Sequence, residues 1–185
     1  PYIPQIQAYR NGLRLIRKAT NEKVFLSGCC VSQNMRSFGA SIGLVDAMRI
    51  GPDFNHDGEG ILTGAIRASR LYFLNGRVWW NDPDPCPIRE KGNAATDGAS
   101  KGIGSLTRAK LLPSFVAVSG QFFLSSDWLP NLTEERLEIM KRTMASHSGV
   151  ARPVDAFSKS LPSIWLASDS KTGTDRNVIG LYNWE

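Results

Sequence analysis

Gly43 to Asp53 reads GLVDAMRIGPD. Leu44, Val45, Ala47, Met48 and Ile50 make the stretch apolar, and Gly51-Pro52 stops it, because a proline has no amide to offer a β-ladder. Arg49 and Asp53 stand four positions apart, and on an ideal strand residues four apart share a side. The pattern predicts a buried strand over 44–50 that delivers a guanidinium and a carboxylate to an open rim. Such an Arg favours the carboxylate anion. A general acid needs the opposite, so Asp53 would also have to be partly desolvated or lie close to a second carboxylate. A structural ion pair at a strand end is the other reading of these two residues.

Outward from this stretch the chain alternates. Residues 4–20 have Ile6, Tyr9, Leu13 and Ile16 at helical spacing, with Arg10, Arg14, Arg17 and Lys18 largely on other faces. Val24-Phe25-Leu26 reads as a short buried strand ending in Ser-Gly-Cys-Cys, and 31–43 as a loop. After the 44–50 strand and a loop from Pro52 to Gly60, residues 61–74 read as a helix that Asn75-Gly76 ends. Val78-Trp79-Trp80 is a third strand, closed by Asn81-Asp82-Pro83-Asp84-Pro85. A polar loop covers 88–102. Residues 106–119 read as a helix that Pro113 kinks or restarts. Gln121 to Leu124 is a fourth strand, and Thr133 caps a helix whose first turn holds Glu134 and Glu135. Leu137, Met140 and Met144 form the apolar face of that helix. Ala151-Arg152-Pro153 signals a linker. Strand candidates at 163–167 and 177–184 follow, parted by a polar turn.

Helix, strand and loop thus alternate four times in the first 148 residues, which argues for a parallel α/β architecture. Each strand keeps its polar residues at its C-terminal end: Cys29-Cys30, Arg49 to Asp53, Asn81 to Asp84, and Ser125 to Asp127. Active sites sit at that end in a (β/α)8 barrel, and a doubly wound sheet places ligands there too.

The word WNDPD at Trp80–Asp84 adds chemistry. Carboxylates and an amide satisfy sugar hydroxyls, and a neighbouring Trp ring stacks on the apolar face of a pyranose. As composition alone the stretch is also a turn, because Asn, Asp and Pro are turn formers. The order SGCC, DAMRIGPD, WWNDPD, FFLSSDWLPNLTEERLEIM resembles the catalytic barrel of the α-galactosidase (melibiase) clan of retaining glycoside hydrolases, families 27 and 36. The resemblance covers roughly residues 5–150, and the Arg-x-x-x-Asp and WNDPD pieces are its specific parts.

The resemblance implies the C-terminal half of a (β/α)8 TIM barrel over residues 1–150. The start of an antiparallel β-sandwich domain would follow over 151–185. It implies Asp53 as the general acid/base and Arg49 as a substrate-binding residue. Asp84 falls on a carboxylate lining the sugar pocket, Asp82 on a supporting group, and Cys29 (or Cys30) on a strand-end Cys near the sugar; Trp80 joins the substrate-binding set. The clan's nucleophile, an Asp in a Lys-x-Asp motif, belongs to a strand ahead of Pro1. The N-terminal half of the barrel is therefore the expected partner, and a terminal α-galactoside or related sugar in an oligosaccharide or glycan the expected substrate. The sugar is left open among galactose, N-acetylgalactosamine and arabinopyranose. No metal or organic cofactor is expected. A non-catalytic carbohydrate-binding or structural fragment is the alternative.

Composition narrows the classes. The formal charge is +5, but Lys and Arg are scattered without a run of five, so no nucleic-acid partner is expected. No apolar run approaches 18 residues, so no membrane span is expected. The three cysteines, Cys29, Cys30 and Cys86, include no CxxC, and with His56 and His147 they make a weak zinc set. A Cys86 disulfide to either of the others is not readable from sequence. The stretch from Asp97 to Gly104 resembles a dinucleotide-binding turn, but no strand precedes it. The compartment is open; glycan degradation would suit a periplasmic or secreted protein.

Overall fold

A computed structural model describes residues 2–29, 35–51, 58–90, 102–103, 105–144, 149–169 and 176–184. The described residues are α/β, and they form one parallel and one antiparallel sheet of three strands each. The parallel sheet holds β1 (Ser27–Gly28), β2 (Ala47–Arg49) and β3 (Trp80–Asp82) in the order β1-β2-β3. Its register sets Gly28 beside Met48, Met48 beside Asn81, and Arg49 beside Asp82. All three residues of β2, Arg49 included, are buried, as befits the central strand of a parallel sheet.

Helices separate the strands: α1 (Gln5–Ala19), α2 (Met35–Ala40), α3 (Gly58–Arg70), α4 (Leu106–Ser119) and α5 (Glu134–Met144). One face of the sheet packs Val45, Met48 and Trp79 against Leu13 of α1 and Phe38 of α2. Phe38 meets Trp79 edge-on at 4.9 Å, a geometry that places a positive ring edge on a negative ring face. Ala47 and Arg49, alternating with Met48, face the other way.

A larger core lies between α3, α4, α5 and the antiparallel sheet. That sheet orders β4 (Arg152–Pro153), β5 (Ile164–Asp169) and β6 (Arg176–Leu181). Trp165 on β5 is 1% exposed and meets Phe115 of α4 at 5.1 Å. Tyr182 and Trp184 stack on each other and also meet Phe115 edge-on. Burying a large aromatic of this kind contributes about 2–3 kcal/mol.

Several expectations shift. The first strand begins at Ser27, just after Val24-Phe25-Leu26, and Val24 and Phe25 are exposed. Part of the predicted 31–43 loop is helix α2, six residues long. So short a helix persists through tertiary contacts: Arg10 donates to the Ala40 carbonyl, Tyr9 meets Ser41, and Phe38 packs on Trp79. The third strand runs on through Asn81 and Asp82 where the sequence suggested a turn. Gln121 to Leu124 is extended but forms no regular strand. Two bonds hold it beside β3, Phe122 N to Asn81 O (2.9 Å) and Cys86 N to Leu124 O (2.8 Å). Helix α4 runs through Pro113 without a restart, capped by Ser105 accepting from Arg108 N. The buried face of α5 is Arg136, Ile139, Met140 and Thr143, while Met144 is exposed. Arg152-Pro153, read as linker, pairs with β5. On α1, Ile6, Leu15 and Ile16 are exposed and no residue is fully buried.

Gly120 closes α4 at φ +70, and a Cβ there would stand against the Gly149 carbonyl oxygen. Gly120→Ala should lose about 2 kcal/mol or more, since the left-handed region alone costs an L-residue about 1–2 kcal/mol. Gly12 makes the contrast: it lies inside α1, and a Cβ added there would meet nothing within 4 Å. Gly12→Ala should gain about 0.5–1 kcal/mol. Urea midpoints moving in opposite directions at constant m would confirm both.

Candidate active site

The C-terminal ends of the three parallel strands bring together Cys29, Arg49, Asp82 and Asp84. Their relative heights follow from the register: Arg49 ends β2 directly beside Asp82, which ends β3. Ile50 N then bonds to Asp82 O at 2.9 Å, fixing the two strand ends to each other. Arg49 Nη2 meets Asp84 Oδ2 at 2.6 Å, and its Nη1 points to Cys29 Sγ at 3.8 Å. Arg49 therefore bridges all three strand ends. It is 8% exposed, Asp82 6% and Asp84 7%, so these charges interact largely out of water. Breaking one partner of such a buried pair costs about 3–5 kcal/mol.

Asp84 has φ +83, a left-handed conformation that a non-glycine residue enters at a cost. Two bonds hold it there: its own amide donates to Asp82 Oδ1 at 2.8 Å, and its carboxylate meets Arg49. Asp82 thus spends one oxygen on backbone geometry. Burial pushes its carboxyl above the ordinary aspartate range, against the opposing pull of the Asp84 amide and of Arg49. The site then contains a guanidinium, one carboxylate paired to it, and a second carboxyl whose ionisation burial opposes.

Behind the rim lies a thiol. Cys86 is fully buried, and burial, together with the carboxylates of Asp82, Asp127 and Asp84, pushes it well above the usual thiol range. It stays protonated and is no nucleophile. Cys86 is a free thiol. Among the described residues no group of His, Cys, Asp and Glu is arranged to hold a metal ion, and no helix is long and apolar enough to cross a membrane.

Trp80 stands apart from this cluster. It shares the face of Asp82 but begins β3, so it sits toward the opposite end of the strand. Its ring lies near Gly76 in a cleft with Tyr72, Arg77 and Val150. Trp79 belongs to the core, 3% exposed, with its indole N–H donating to Asn81 Oδ1 at 3.1 Å. Trp165 and Trp184 pack on Phe115. Asp53, His56 and Cys30 lie outside the described residues, as does most of the stretch from Asp97 to Gly104.

Two further ion pairs were not singled out in the sequence. Asp46 Oδ2 accepts from Leu26 N (2.7 Å) and from Arg17 Nη2 (2.8 Å), tying β1, β2 and α1 together at the far end of the strands. Arg89 and Asp127 pair at 3.0 Å behind Asp84. The signal for the second pair was the polar run Ser125 to Asp127 at a strand end; its partner, 38 positions back in a predicted loop, carried none.

The same fold occurs in solved glycoside hydrolases. A GH27 β-L-arabinopyranosidase from Geobacillus stearothermophilus superposes with a TM-score of 0.69 at 16% identity, over 88% of this chain and 39% of that one. A single-site variant of it, in complex with arabinose, superposes with a TM-score of 0.68 at the same identity and coverage. A protein from Bacteroides fragilis, provisionally assigned as an alpha-galactosidase, gives 0.65 at 17% identity, over 97% of this chain and 40% of that one. The chain therefore spans about two fifths of the length of these structures. No family model matches the sequence. The α-galactosidase-like resemblance carried by SGCC, DAMRIGPD and WNDPD is thus matched in the fold.

Asp82 gives a pH signature. For an acid whose folded pKa is raised, stability falls as pH climbs from the unfolded value near 3.8 through the folded one. Asp82→Asn keeps the acceptor for the Asp84 amide and removes the buried charge. Its melting temperature should exceed wild type at pH 7, by a free energy on the order of 1 kcal/mol per unit of pKa shift. The two melting curves should converge as pH falls below 3.8. A gap that persists or reverses at acid pH would contradict this account.

Proposed function

We propose that this chain is part of a retaining glycoside hydrolase that acts on terminal α-galactosides or a related sugar. The observation that carries the reading is Arg49 set between Cys29 and Asp84 at the C-terminal ends of three parallel strands, beside a largely buried Asp82. Such a cluster offers a planar cation and two carboxyl groups to a ligand rich in hydroxyl groups. The fold shared with GH27 enzymes supports the same class. In this reading residues 1–150 are the second half of a (β/α)8 barrel. Residues 151–185 begin a β-sandwich domain. The β5–β6 hairpin supports the latter: Trp165 and Ala167 pack inward, while Ile164, Ile179 and Leu181 present an exposed apolar face of the sort a second sheet covers.

Asp53, four residues beyond Arg49, is the general acid/base, and an Asp on a preceding strand outside these residues is the nucleophile. The nucleophile attacks the anomeric carbon while protonated Asp53 donates to the leaving oxygen. Asp53 then takes a proton from water as the glycosyl ester is hydrolysed. Arg49 and Asp84 hold sugar hydroxyls, Asp82 supports Asp84, and Cys29 borders the sugar. β-L-Arabinopyranose matches α-D-galactopyranose without its exocyclic hydroxymethyl group, so both sugars belong to the candidate set. The second reading is a purely structural or sugar-binding role, favoured by Arg49 and Asp84 already neutralising each other.

The intact protein, assayed with aryl α-galactoside, α-N-acetylgalactosaminide and β-L-arabinopyranoside, should turn over one of them. Asp53→Ala should lower kcat/KM roughly 10²–10⁴-fold for a poor leaving group, with azide restoring turnover of an activated aryl glycoside. Wild-type activity in Asp53→Ala would refute its role; inertness of the intact protein toward all three substrates would favour the second reading.

A further inference from the structure

We propose that Asp127 is the positioning residue of this site, acting on Arg49 through the segment from Pro83 to Arg89. The inference rests on the reading of Arg49 and Asp84 as sugar-binding groups and names what holds them in place. The segment reads Pro-Asp-Pro-Cys-Pro-Ile-Arg. Prolines at 83, 85 and 87 have no amide hydrogen and fix φ near −65°. Only Asp84, Cys86, Ile88 and Arg89 can donate from the backbone, and each does. Asp84 N bonds to Asp82 Oδ1 (2.8 Å) and Cys86 N to Leu124 O (2.8 Å). Ile88 N bonds to Asp127 Oδ2 (3.0 Å) and Arg89 N to Asp127 Oδ1 (3.3 Å). The segment is a stiff strap with an anchor at each amide it possesses.

Asp127 takes the last two of those anchors with one carboxylate. The same group accepts from Arg89 Nη1 at 3.0 Å, and that guanidinium nitrogen also reaches the Ser126 carbonyl (3.2 Å) and hydroxyl (3.1 Å). The Asp127 side chain has no exposed surface and that of Arg89 is 6% exposed, so water offers the released amides no ready substitute. Asp84 heads the strap in a left-handed conformation that Pro85 further restricts. Releasing the strap lets Asp84 relax toward an ordinary φ, which swings its carboxylate off Arg49. The bonds of the Asp127 carboxylate go to Ile88, Arg89 and Ser125 and not to Arg49; it sets where Asp84 can stand.

The test uses the full-length 15N-labelled protein, with the Arg49 guanidinium resonances assigned by Arg49→Lys. Asp127→Asn keeps one acceptor oxygen and turns an amide group toward Arg89. It should speed hydrogen exchange at the Arg49 Nη groups at least tenfold. Alkylation of Cys86, located by peptide mass spectrometry, should rise by a similar factor, because this buried thiol lies within the strap. Val116→Ala, a core change on α4, serves as a control for lost stability and should move neither readout. If Asp127→Asn does not fold, Arg89→Lys removes the shared guanidinium and should give a smaller shift in the same direction. Unchanged Arg49 exchange in the folded Asp127 variant, or in Arg89→Lys where that is the variant measured, would overturn the proposal. Hydrolysis tests the underlying reading separately. With an active parent enzyme, Asp127→Asn should raise KM about tenfold and change kcat less, and an unchanged KM would overturn the positioning role. An inactive parent would sink the glycosidase reading, and Arg49 exchange would still decide the role of Asp127.

Discussion

A guanidinium taken out of water must be surrounded by acceptors, and Arg49 is the point around which the parallel sheet is arranged. It is carried to the end of the central strand by an apolar run that has no alternative to burial. Once there, its charge is met by Asp84 at 2.6 Å and it lies within reach of Cys29. The neighbouring strand contributes Asp82 in register beside it. Three strand ends thus converge because one buried cation needs what each of them supplies. Pairs of this type contribute modest net stability but impose a heavy penalty on any arrangement that leaves one partner alone. That asymmetry makes them better at specifying a geometry than at strengthening a fold.

The same logic runs outward from the site in layers. Asp84 stands in a conformation that its backbone resists, and the resistance is overcome by an amide bond to Asp82 and by the strap that follows. The strap alternates proline with residues whose amides are all engaged, so it has few ways to move. Its far end closes on the Arg89–Asp127 pair, and the buried Arg136 of α5 reinforces it by donating to the carbonyls of Ile88 and Ile103. Buried polar groups here satisfy one another in sequence, from Arg49 to α5, which is how a polar network can be both costly to disrupt and sharply defined.

The apolar half of the structure divides into two bodies with different tasks. A small cluster of Val45, Met48 and Trp79 seats α1 and α2 on one face of the parallel sheet. A larger one joins α3, α4 and α5 to the antiparallel sheet, with Phe115 surrounded by Trp165, Tyr182 and Trp184. Aromatic edges and faces dominate that second contact, so the C-terminal hairpin sits on α4 through directed ring geometry. Gly120, which ends α4 with no room for a side chain, lets the chain at 149–151 pass close beside it.

The sequence by itself determined the parallel α/β class, the buried strand through Arg49, the helices at 5–19, 106–119 and 134–144, and the terminal hairpin. These follow from local signals: apolar periodicity, prolines and glycines at ends, and acidic residues at helix starts. It also marked Arg49, Cys29, Asp82 and Asp84 as rim residues, because polar groups at the ends of apolar runs have nowhere else to go. It misjudged where a signal was weak or non-local. WNDPD has turn composition, yet Asn81 and Asp82 are strand, because backbone bonds to the central strand outweigh intrinsic preference. A six-residue helix at 35–40 was invisible because its contacts come from α1 and Trp79. Only the tertiary structure decided that Trp80 stands away from the charged cluster, that Asp84 meets Arg49, and that Asp127 anchors the strap. Those are contacts between residues far apart in the chain, and sequence spacing carries no information about which of several carboxylates a buried cation will meet.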